Sequence, residues 1–403
     1  MKKKLPRVLL VHNYYQIPGG EDTVVQNEKR LLEEHGHTVF VYTRENQEIH
    51  SFSKVRKLGL FFESIFSWRT YREVKRMIRQ ERIDVVHVHN TLSLISPSVY
   101  YAALDCGIPV VQTVHNYRLV CPAATFVKKG KICEDCLHQG LSCAVKGRCY
   151  RGSLTQTLVS VLILKIHRLL GTYRKIYYIC LTDFNRKKLL QINERGRQQI
   201  RPEYVYVKSN FVWPAETACD LPRKDQFLYV GRLDDIKGIR TLVKAWEEMG
   251  DKELLICGSG PEEAWVRDFL KQHHRKRVKL LGQVSHEQVQ ELLGESKALM
   301  MPTQWYEGQP MVILESYAAG TPVVGSRMGN VKDMIQEGVT GVTFSPGSPE
   351  QLREAVLQLP EFEAGVIRRH FEACYDPEMN YAKLMDIYQK VIAEVKDGSR
   401  RGR

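Results

Sequence analysis

The sequence predicts an α/β protein built from two doubly wound parallel-sheet domains. Short apolar runs alternate with amphipathic segments of helical period, which is typical of strand–helix–strand units. This alternation restarts near Gln226, after a stretch with two prolines and no periodicity. The length of 403 residues also exceeds what one hydrophobic core usually supports. We therefore expect two Rossmann-like domains that face a central cleft.

Local patterns place the elements of the first half. Strands are expected at residues 7–12, 38–43, 84–88 and 109–114, because each is a short, mainly apolar run. Between the first two, residues 22–35 repeat apolar side chains at helical spacing and end before Gly36, a common helix terminator.

The second half repeats the pattern. Helices are expected at residues 239–249 and 262–273, and buried strands at FLYVG, ELLICG, VKLLG, ALMMP, TPVVG and TGVTF.

These elements divide the chain. Residues 209–226 are predicted to be the linker between a first domain at 1–208 and a second at 227–378. An amphipathic helix at 379–395 follows the last strand and packs on one of the two domains, with the first preferred.

The positive charge lies in the first half of the chain. The net charge is +13, and residues 1–175 carry 27 Lys and Arg against 14 Asp and Glu, whereas the remainder is balanced. Such asymmetry indicates that the first domain faces a polyanion. Nucleic acid, an anionic membrane and a phosphorylated substrate are the three candidates.

The sequence shows neither the apolar core of a signal peptide nor a membrane span, so we expect a cytoplasmic protein. The basic start is followed by about six apolar residues before His12, fewer than the ~7–15 of a signal-peptide core. The most apolar later stretch, 158–164, is far shorter than the ~20 residues of a membrane span. Ten cysteines without an export signal then indicate reduced thiols or a metal site.

Half of the cysteines lie within 29 residues. Cys133 and Cys136 have the spacing of metal ligands, and Cys121 and Cys149 complete a set of four thiolates that suits a structural zinc ion. The alternative is a group of free thiols in an insertion near the acceptor.

Residues 301–326 form the most informative motif. Their order is strand end, loop, helix, glycine and next strand, with Pro310 in the first helical turn and Gly320 after the last. Met311 and Val312, which follow Pro310, lie at the N-terminus of that helix. Their free amides and the positive end of the helix dipole can therefore bind an anion.

Two glutamates complete this motif, Glu307 on the loop and Glu315 inside the helix. A Glu-x7-Glu pattern across a Gly-Gln-Pro loop resembles the signature of glycosyltransferase family 4, whose fold is called GT-B. The resemblance implies that Glu315 binds the ribose of a sugar nucleotide. It also implies that Glu307 approaches the transferred sugar and that Gly308, Gln309, Pro310, Met311 and Val312 contribute backbone contacts to the donor.

A second motif lies at YVGRLDDIKG, where a strand ends at Gly231 and a loop carries Arg232 and Lys237. Two cations suit a diphosphate, because they offset the charge that grows as a nucleotide leaves. The matching residues of the resembled family contact the donor pyrophosphate. The alternative is that both cations are surface residues.

The first half holds further candidates. His115 follows the predicted strand 109–114 at its carboxyl end, where open sheets bind ligands, and the resemblance implies that it faces the donor sugar. Gly19 and Gly20 lie between the first strand and the first helix. The resemblance implies that they form a loop near the donor phosphates, and the alternative is an ordinary tight turn. His87 and His89 share one strand face. Either both are packed or solvated side chains, or His89 lies at the cleft and contacts a ligand.

Residues 54–80 mix basic and aromatic side chains, including Phe61, Phe62, Phe66 and Trp68. A helix of this kind either lies in an anionic membrane interface or packs on the sheet with a solvated basic face.

The resemblance implies a function. We expect a retaining, metal-independent transferase that moves a sugar from a nucleotide diphosphate sugar to a hydroxyl of a glycan or lipid-linked acceptor in cell-surface polysaccharide synthesis. UDP-sugar is favoured as co-substrate, and no cofactor is expected. In place of the usual Gly-Gly-x-Pro-Glu of the resembled family, residues 329–333 read GNVKD. Guanosine therefore stays an alternative to uridine as the nucleoside of the donor.

Two alternatives remain. A sugar-nucleotide 2-epimerase shares this two-domain form but should lack the Glu-x7-Glu loop. A nucleic-acid-binding protein would use the basic half and the cysteines, yet it leaves Glu307, Glu315, Arg232 and Lys237 without a task.

Overall fold

The computed structural model describes residues 5–16, 19–196, 198–214, 221–273 and 277–401. Its strands, in chain order, are β1 (Val8–Tyr14), β2 (Val39–Glu45), β3 (Val85–Asn90), β4 (Val110–Val114), β5 (Val127–Lys128), β6 (Lys131–Ile132), β7 (Tyr177–Cys180), β8 (Val205–Val207), β9 (Lys224–Val230), β10 (Glu253–Cys257), β11 (Val278–Gly282), β12 (Ser296–Met301), β13 (Val323–Ser326) and β14 (Gly341–Phe344).

The α-helices are α1 (Gly20–Glu34), α2 (Lys54–Ile65), α3 (Trp68–Gln80), α4 (Ser98–Leu104), α5 (Asp135–His138), α6 (Ser142–Gly147), α7 (Leu154–Leu169), α8 (Asp183–Leu190), α9 (Ile239–Ala245), α10 (Glu263–Gln272), α11 (His286–Glu295), α12 (Met311–Ala318), α13 (Gly329–Met334), α14 (Pro349–Leu357), α15 (Ala364–Tyr375) and α16 (Pro377–Arg401).

The chain forms two compact units. The first comprises Met1–Ala124, Glu134–Asn210 and Asn380–Arg403, and the second comprises Thr125–Cys133 and Phe211–Met379. The first three residues of the strand β9 lie inside the linker predicted at 209–226, part of which lies outside the described residues.

The first unit is built on a six-stranded sheet with the order β2-β1-β3-β4-β7-β8. Every neighbouring pair is parallel. The central strands are buried along their length, as expected for a sheet covered on both faces. The expected α/β class and parallel sheet are confirmed in this unit.

The C-terminal helix α16 packs on the first unit. Leu384, Tyr388 and Val391 of this helix join the same core cluster as Leu10 and Ile179 of the sheet. Tyr381 also bonds across to His37 Nε2, at 2.9 Å. The helix therefore belongs to this unit from Asn380 onward, although it is longer than the predicted span of 379–395.

The second unit has a six-stranded parallel sheet with the order β11-β10-β9-β12-β13-β14. Counted within the unit, this is the 3-2-1-4-5-6 order of a doubly wound Rossmann fold. The prediction of two Rossmann-like sheets is therefore confirmed.

Two predicted helices are each divided into two elements in the structure. The basic and aromatic segment 54–80 is two helices: α2 ends at Ile65, and Ser67 caps α3 by accepting from the Thr70 amide at 3.2 Å. The helix predicted at 239–249 ends at Ala245 and continues as a 3₁₀ turn, Trp246–Glu248. Among the described residues, no helix combines the length and apolar character needed to cross a bilayer.

Buried histidines make the first unit sensitive to acid. Burial lowers the pKa of His87 from 6.5 to about 3, so between these values the unfolded chain binds one proton more than the folded chain. Stability from this residue is therefore present at neutral pH and falls by about 1.4 kcal/mol per pH unit below pH 6.5.

We predict that His87→Gln makes the free energy of unfolding less dependent on pH. Urea denaturation at pH 7, 6 and 5 should give a slope smaller by about 1.4 kcal/mol per pH unit than in the wild type. His50→Gln, at an exposed position of the same unit, is the control. Equal slopes in wild type and His87→Gln would show that His87 takes up its proton in the folded state.

Candidate active site

The second sheet has a switch point between β9 and β12, because successive strands run outward from these two in opposite directions. Ligands of open α/β sheets bind outside the carboxyl ends of the strands at such a point. The loop 231–238 follows β9, and the loop 302–310 follows β12. The two motifs that the sequence singled out therefore meet where this sheet is expected to bind a ligand.

Lys237 and Glu307 form the centre of this site. The Lys237 ammonium lies 2.8 Å from Oε1 and 2.9 Å from Oε2 of Glu307. Glu307 is 5% exposed, and its Oε1 also accepts from Trp305 Nε1 at 2.6 Å and Thr303 Oγ1 at 3.0 Å. The carboxylate is thus held by three donors, which fixes the cation beside it.

The loop around Glu307 is anchored by its backbone. Asn330 Nδ2 donates to the Glu307 carbonyl at 2.6 Å and also to the Gly308 carbonyl. Asn330 belongs to the segment whose sequence departs from the family pattern, and its observed contact supports the site loop.

Gly238 lets the two loops approach closely. Its φ is +76°, and a Cβ at this position would lie 1.8 Å from the Pro302 carbonyl oxygen. Only glycine fits such a backbone approach without movement. Lys237 is therefore placed against the 302–310 loop by the residue that follows it.

The N-terminus of α12 borders the same loop. Pro310 is its N-cap and Met311 its first helical residue, so the amides of Met311 and Val312 lack carbonyl partners within the helix. Gly308 and the buried Gln309 precede this helix start. The positive end of the helix dipole and Lys237 thus offer two favourable features to an anion.

Glu315 and Arg232 lie at the edges of this arrangement. Glu315 is partly buried on α12, and burial raises its pKa. The Nδ1 atom of His286 lies 3.8 Å from its Oε1. Arg232, just after Gly231, forms an ion pair with Asp234 and its side chain is 55% exposed. Arg232 is therefore exposed to solvent but already has a carboxylate partner.

In the first unit, His115 ends a chain of polar contacts. Its Nε2 is 2.9 Å from Nδ1 of His89, and His89 Nε2 is 3.3 Å from a carboxylate oxygen of Glu28. The other Glu28 oxygen accepts from Lys208 Nζ at 2.9 Å. His89 therefore faces the candidate His115 rather than solvent.

These contacts define how His115 is presented. Burial, and then the neighbouring His89, lower the pKa of His115 well below 6.5, so the ring is neutral at neutral pH. When His89 points its Nε2 proton toward Glu28, its Nδ1 accepts the His115 Nε2 proton. His115 Nδ1 is then a hydrogen-bond acceptor.

The buried Glu28 also faces His87, whose Nδ1 lies 3.3 Å from it. Glu28, His87 and His89 place ligand-type atoms within 4.8 Å of one another. Lys208 already supplies a positive charge to this carboxylate. We interpret the group as an ion-paired network, which matches the packed alternative for the two histidines.

The predicted glycine loop leads into α1. Gly20 is the first residue of the helix, and the Gly19 amide donates to Asp22 Oδ2 at 3.0 Å. Asp22 Oδ1 lies 2.6 Å from Nε2 of the buried His12. The described part of this loop is thus a capped helix start, and its contact with a donor stays a prediction.

The cysteine cluster is partly assembled in the first unit. Burial, and then the neighbouring Cys121 and Cys149, raise the pKa of Cys136 to about 12. Cys133 ends the segment Thr125–Cys133 that groups with the second unit. The zinc site of Cys121, Cys133, Cys136 and Cys149 stays a prediction.

The sequence did not single out Thr303, Trp305, Glu28 or Lys208. Thr303 and Trp305 lie inside the motif that contains Glu307, so their proximity to it could have flagged them. Glu28 and Lys208 are 180 residues apart, and the residues around each of them show no motif that would set it apart from other charged residues.

Two family models match the chain. Residues 224–361 match the family described as Glycosyl transferases group 1, and residues 18–130 match Glycosyltransferase Family 4. The first match contains the whole of the Lys237–Glu307 site.

Individual proteins are also similar. A glycogen synthase of Mycobacterium tuberculosis is 30% identical over 162 residues, which are 39% of this chain and 39% of that protein, so the chain spans about two fifths of its length. The N-acetyl-alpha-D-glucosaminyl L-malate synthase of Bacillus anthracis is 22% identical and covers 96% of this chain and 97% of its own. The structure of Anabaena Alr3699/HepE in complex with UDP aligns with a TM-score of 0.65 and 15% identity, over 95% of this chain and 100% of that one.

The close approach at Gly238 gives a prediction for stability. Gly238→Ala must push Lys237 away from the 302–310 loop, whereas Gly250→Ala also has a positive φ but has no atom within 4 Å of the new Cβ. Chemical denaturation should show Gly238→Ala less stable than Gly250→Ala by about 1–3 kcal/mol. Equal losses in the two variants would mean that the two loops do not pack as described.

Proposed function

The chain belongs to glycosyltransferase family 4, and from that premise we propose that it transfers a sugar from a UDP-sugar to a hydroxyl of a glycan or lipid-linked acceptor. The second unit holds the donor and the first unit holds the acceptor. The reaction retains the anomeric configuration and needs no divalent metal. The product is a cell-surface polysaccharide or one of its precursors.

One observation carries this proposal, the Lys237–Glu307 pair beside the start of α12. A diphosphate that leaves a sugar gains negative charge. A fixed ammonium and free helix-end amides stabilise such charge without having to reorganise. Arg232 is close to Lys237 in sequence and is exposed, so its guanidinium can leave Asp234 and pair with a phosphate oxygen instead.

The proposed step balances without an added base. The bond between the sugar C1 and the β-phosphate oxygen breaks, and the acceptor oxygen bonds to C1 on the same face. The acceptor's proton passes to the departing phosphate oxygen. Glu307 is assigned to binding and orienting the sugar, because its carboxylate oxygens are already engaged by Lys237, Trp305 and Thr303.

Glu315 and His115 bind different parts of the donor. Glu315 accepts hydrogen bonds from the ribose hydroxyls through its partly buried carboxylate. His115 is neutral, and its Nδ1 accepts from a hydroxyl of the transferred sugar. Gly20, Gly231 and the 308–312 backbone complete the donor contacts.

Uridine is the proposed base. Alr3699/HepE has been solved in complex with UDP, and it shares the fold of this chain. That likeness motivates the assignment of UDP ahead of GDP.

The first unit is also proposed to contact the anionic inner face of the membrane from the cytoplasm. Phe62 and Trp68 are 70% and 65% exposed on α2 and α3. A groove of about 340 Å³ on α3 is lined by Arg72, Lys75, Arg76 and Arg79. Exposed aromatic rings next to basic side chains suit a lipid interface.

The main prediction concerns transfer activity. Lys237→Ala and Glu315→Ala should each reduce sugar transfer by roughly 100-fold or more, since each removes a group that holds the donor. Release of UDP from a panel of UDP-sugars in the presence of acceptor extracts is the measurement, and circular dichroism checks the fold.

Lys244→Ala and Glu291→Ala are the matched controls, because both side chains are exposed in the same unit, and both should keep wild-type activity. Full activity in Lys237→Ala or Glu315→Ala would overturn the site assignment. Conversion of a UDP-sugar to its 2-epimer without any acceptor would favour the epimerase instead.

A further inference from the structure

The first unit contains a large cavity at the carboxyl ends of β1, β2 and β3. Its volume is about 720 Å³, within the range of small-molecule sites. It lies between α2 and α7, and the chain segments that follow those three strands close it. The first sheet reverses its strand order between β1 and β3, so the cavity occupies the place where such a sheet binds ligands.

Part of the lining of this cavity is apolar, and this part is called the apolar side below. Its lining includes the following side chains from α2, α7 and the loops: Ile49, Leu60, Phe61, Phe62, Leu92 and Val159. Two aromatic rings and four aliphatic side chains form a surface that an aliphatic chain would cover favourably.

An arginine without an ionised partner at hydrogen-bond distance lies next to this cavity. Nε and Nη1 of Arg118 are buried and meet no acceptor at good geometry. The guanidinium lies 5.5 Å from the ring of Tyr150, which lines the cavity. Burial raises the pKa of its acidic neighbour Glu21 to about 8.

Arg118 connects the cavity to His115. A smaller pocket of about 60 Å³ is lined by Arg118, His89 and His115, and it shares Ser64 and Ser160 with the large cavity. A ligand with its apolar part in the large cavity would thus place a polar end beside Arg118, close to the histidine proposed to face the sugar.

The surface around the cavity suits a chain that is longer than the cavity. Phe62 lines the cavity and is 70% exposed, and Leu154 and Leu158 are exposed on α7, which also carries Val159. Among described residues, apolar side chains thus extend from the cavity onto the surface.

We infer that this cavity binds the acceptor, and that the acceptor is an amphiphile with a linear aliphatic chain joined to a phosphate ester. The chain occupies the apolar side, and the phosphate pairs with Arg118, whose planar guanidinium suits phosphate oxygens. The inference rests on the proposed function and narrows its acceptor to the lipid-linked class.

Isothermal titration of the full chain with hexyl phosphate and octyl phosphate, below their micelle concentrations, tests this. Each added methylene should lower Kd by about two- to fourfold, as burial of a CH₂ group predicts. Inorganic phosphate should bind at least 100-fold more weakly than octyl phosphate. Octanol, which lacks the charge, should bind at least tenfold more weakly.

Two variants separate the parts of the site. Val159→Trp fills the apolar side, so it should remove the dependence of Kd on chain length. Arg118→Gln should abolish the advantage of octyl phosphate over octanol. Leu169→Trp, at an exposed position at the far end of α7 that does not line the cavity, is the control and should bind like the wild type.

Several results would overturn the inference. These are equal affinity for phosphate and octyl phosphate, unchanged binding in Val159→Trp, or binding to anionic vesicles without binding to the monomeric alkyl phosphates. Titration with UDP distinguishes a failure of the acceptor assignment from a failure of the proposed function. If UDP binds and alkyl phosphates do not, the acceptor assignment is wrong and the proposed function stands; if UDP does not bind, the proposed function itself fails.

Discussion

The buried ion pair between Glu28 and Lys208 organises the first unit. Removing two charges from water costs several kcal/mol per ion, so such a pair persists only when other polar groups complete its surroundings. Here Asn380 Oδ1 accepts from Lys208 at 2.7 Å, and His87 and His89 face the carboxylate. The pair thereby links α1, β3, the end of β8 and the C-terminal helix. Loss of either partner would leave a buried charge alone, which costs about 3–5 kcal/mol.

The Glu28 carboxylate is connected to the carboxyl edge of the sheet by His89, which lies between Glu28 and His115. A histidine at a strand end could adopt either tautomer, but a neighbouring chain of fixed donors and acceptors selects one. The second unit follows a similar logic with different residues. There Glu307 is fixed by Thr303 and Trp305, and it fixes Lys237 in turn. In both units, a carboxylate with little exposure to solvent positions the side chain that is proposed to meet substrate.

The fold was predictable from the sequence because strands buried on both faces leave continuous apolar runs, and helices between them keep their period. The positions of the motif residues were predictable for a similar reason: Glu307 and Lys237 lie in loops directly after such strands, and Glu315 lies in the helix that follows one of these loops. Glu28 was not, since on α1 it looks like any charge of an amphipathic helix and its partner Lys208 is remote in the chain. The break at Ser67 was missed because the basic and aromatic pattern continues across it, and only the cap shows that two helices meet.

The central claim is that the donor diphosphate lies at the β9–β12 switch point of the second unit. Hydrogen exchange of the full chain, followed by mass spectrometry with and without UDP, tests this claim most directly. Binding there should slow exchange in peptides that cover residues 231–238 and 302–316, because their amides become ordered and shielded. Slower exchange confined to the first unit, or no change at any UDP concentration, would contradict the account.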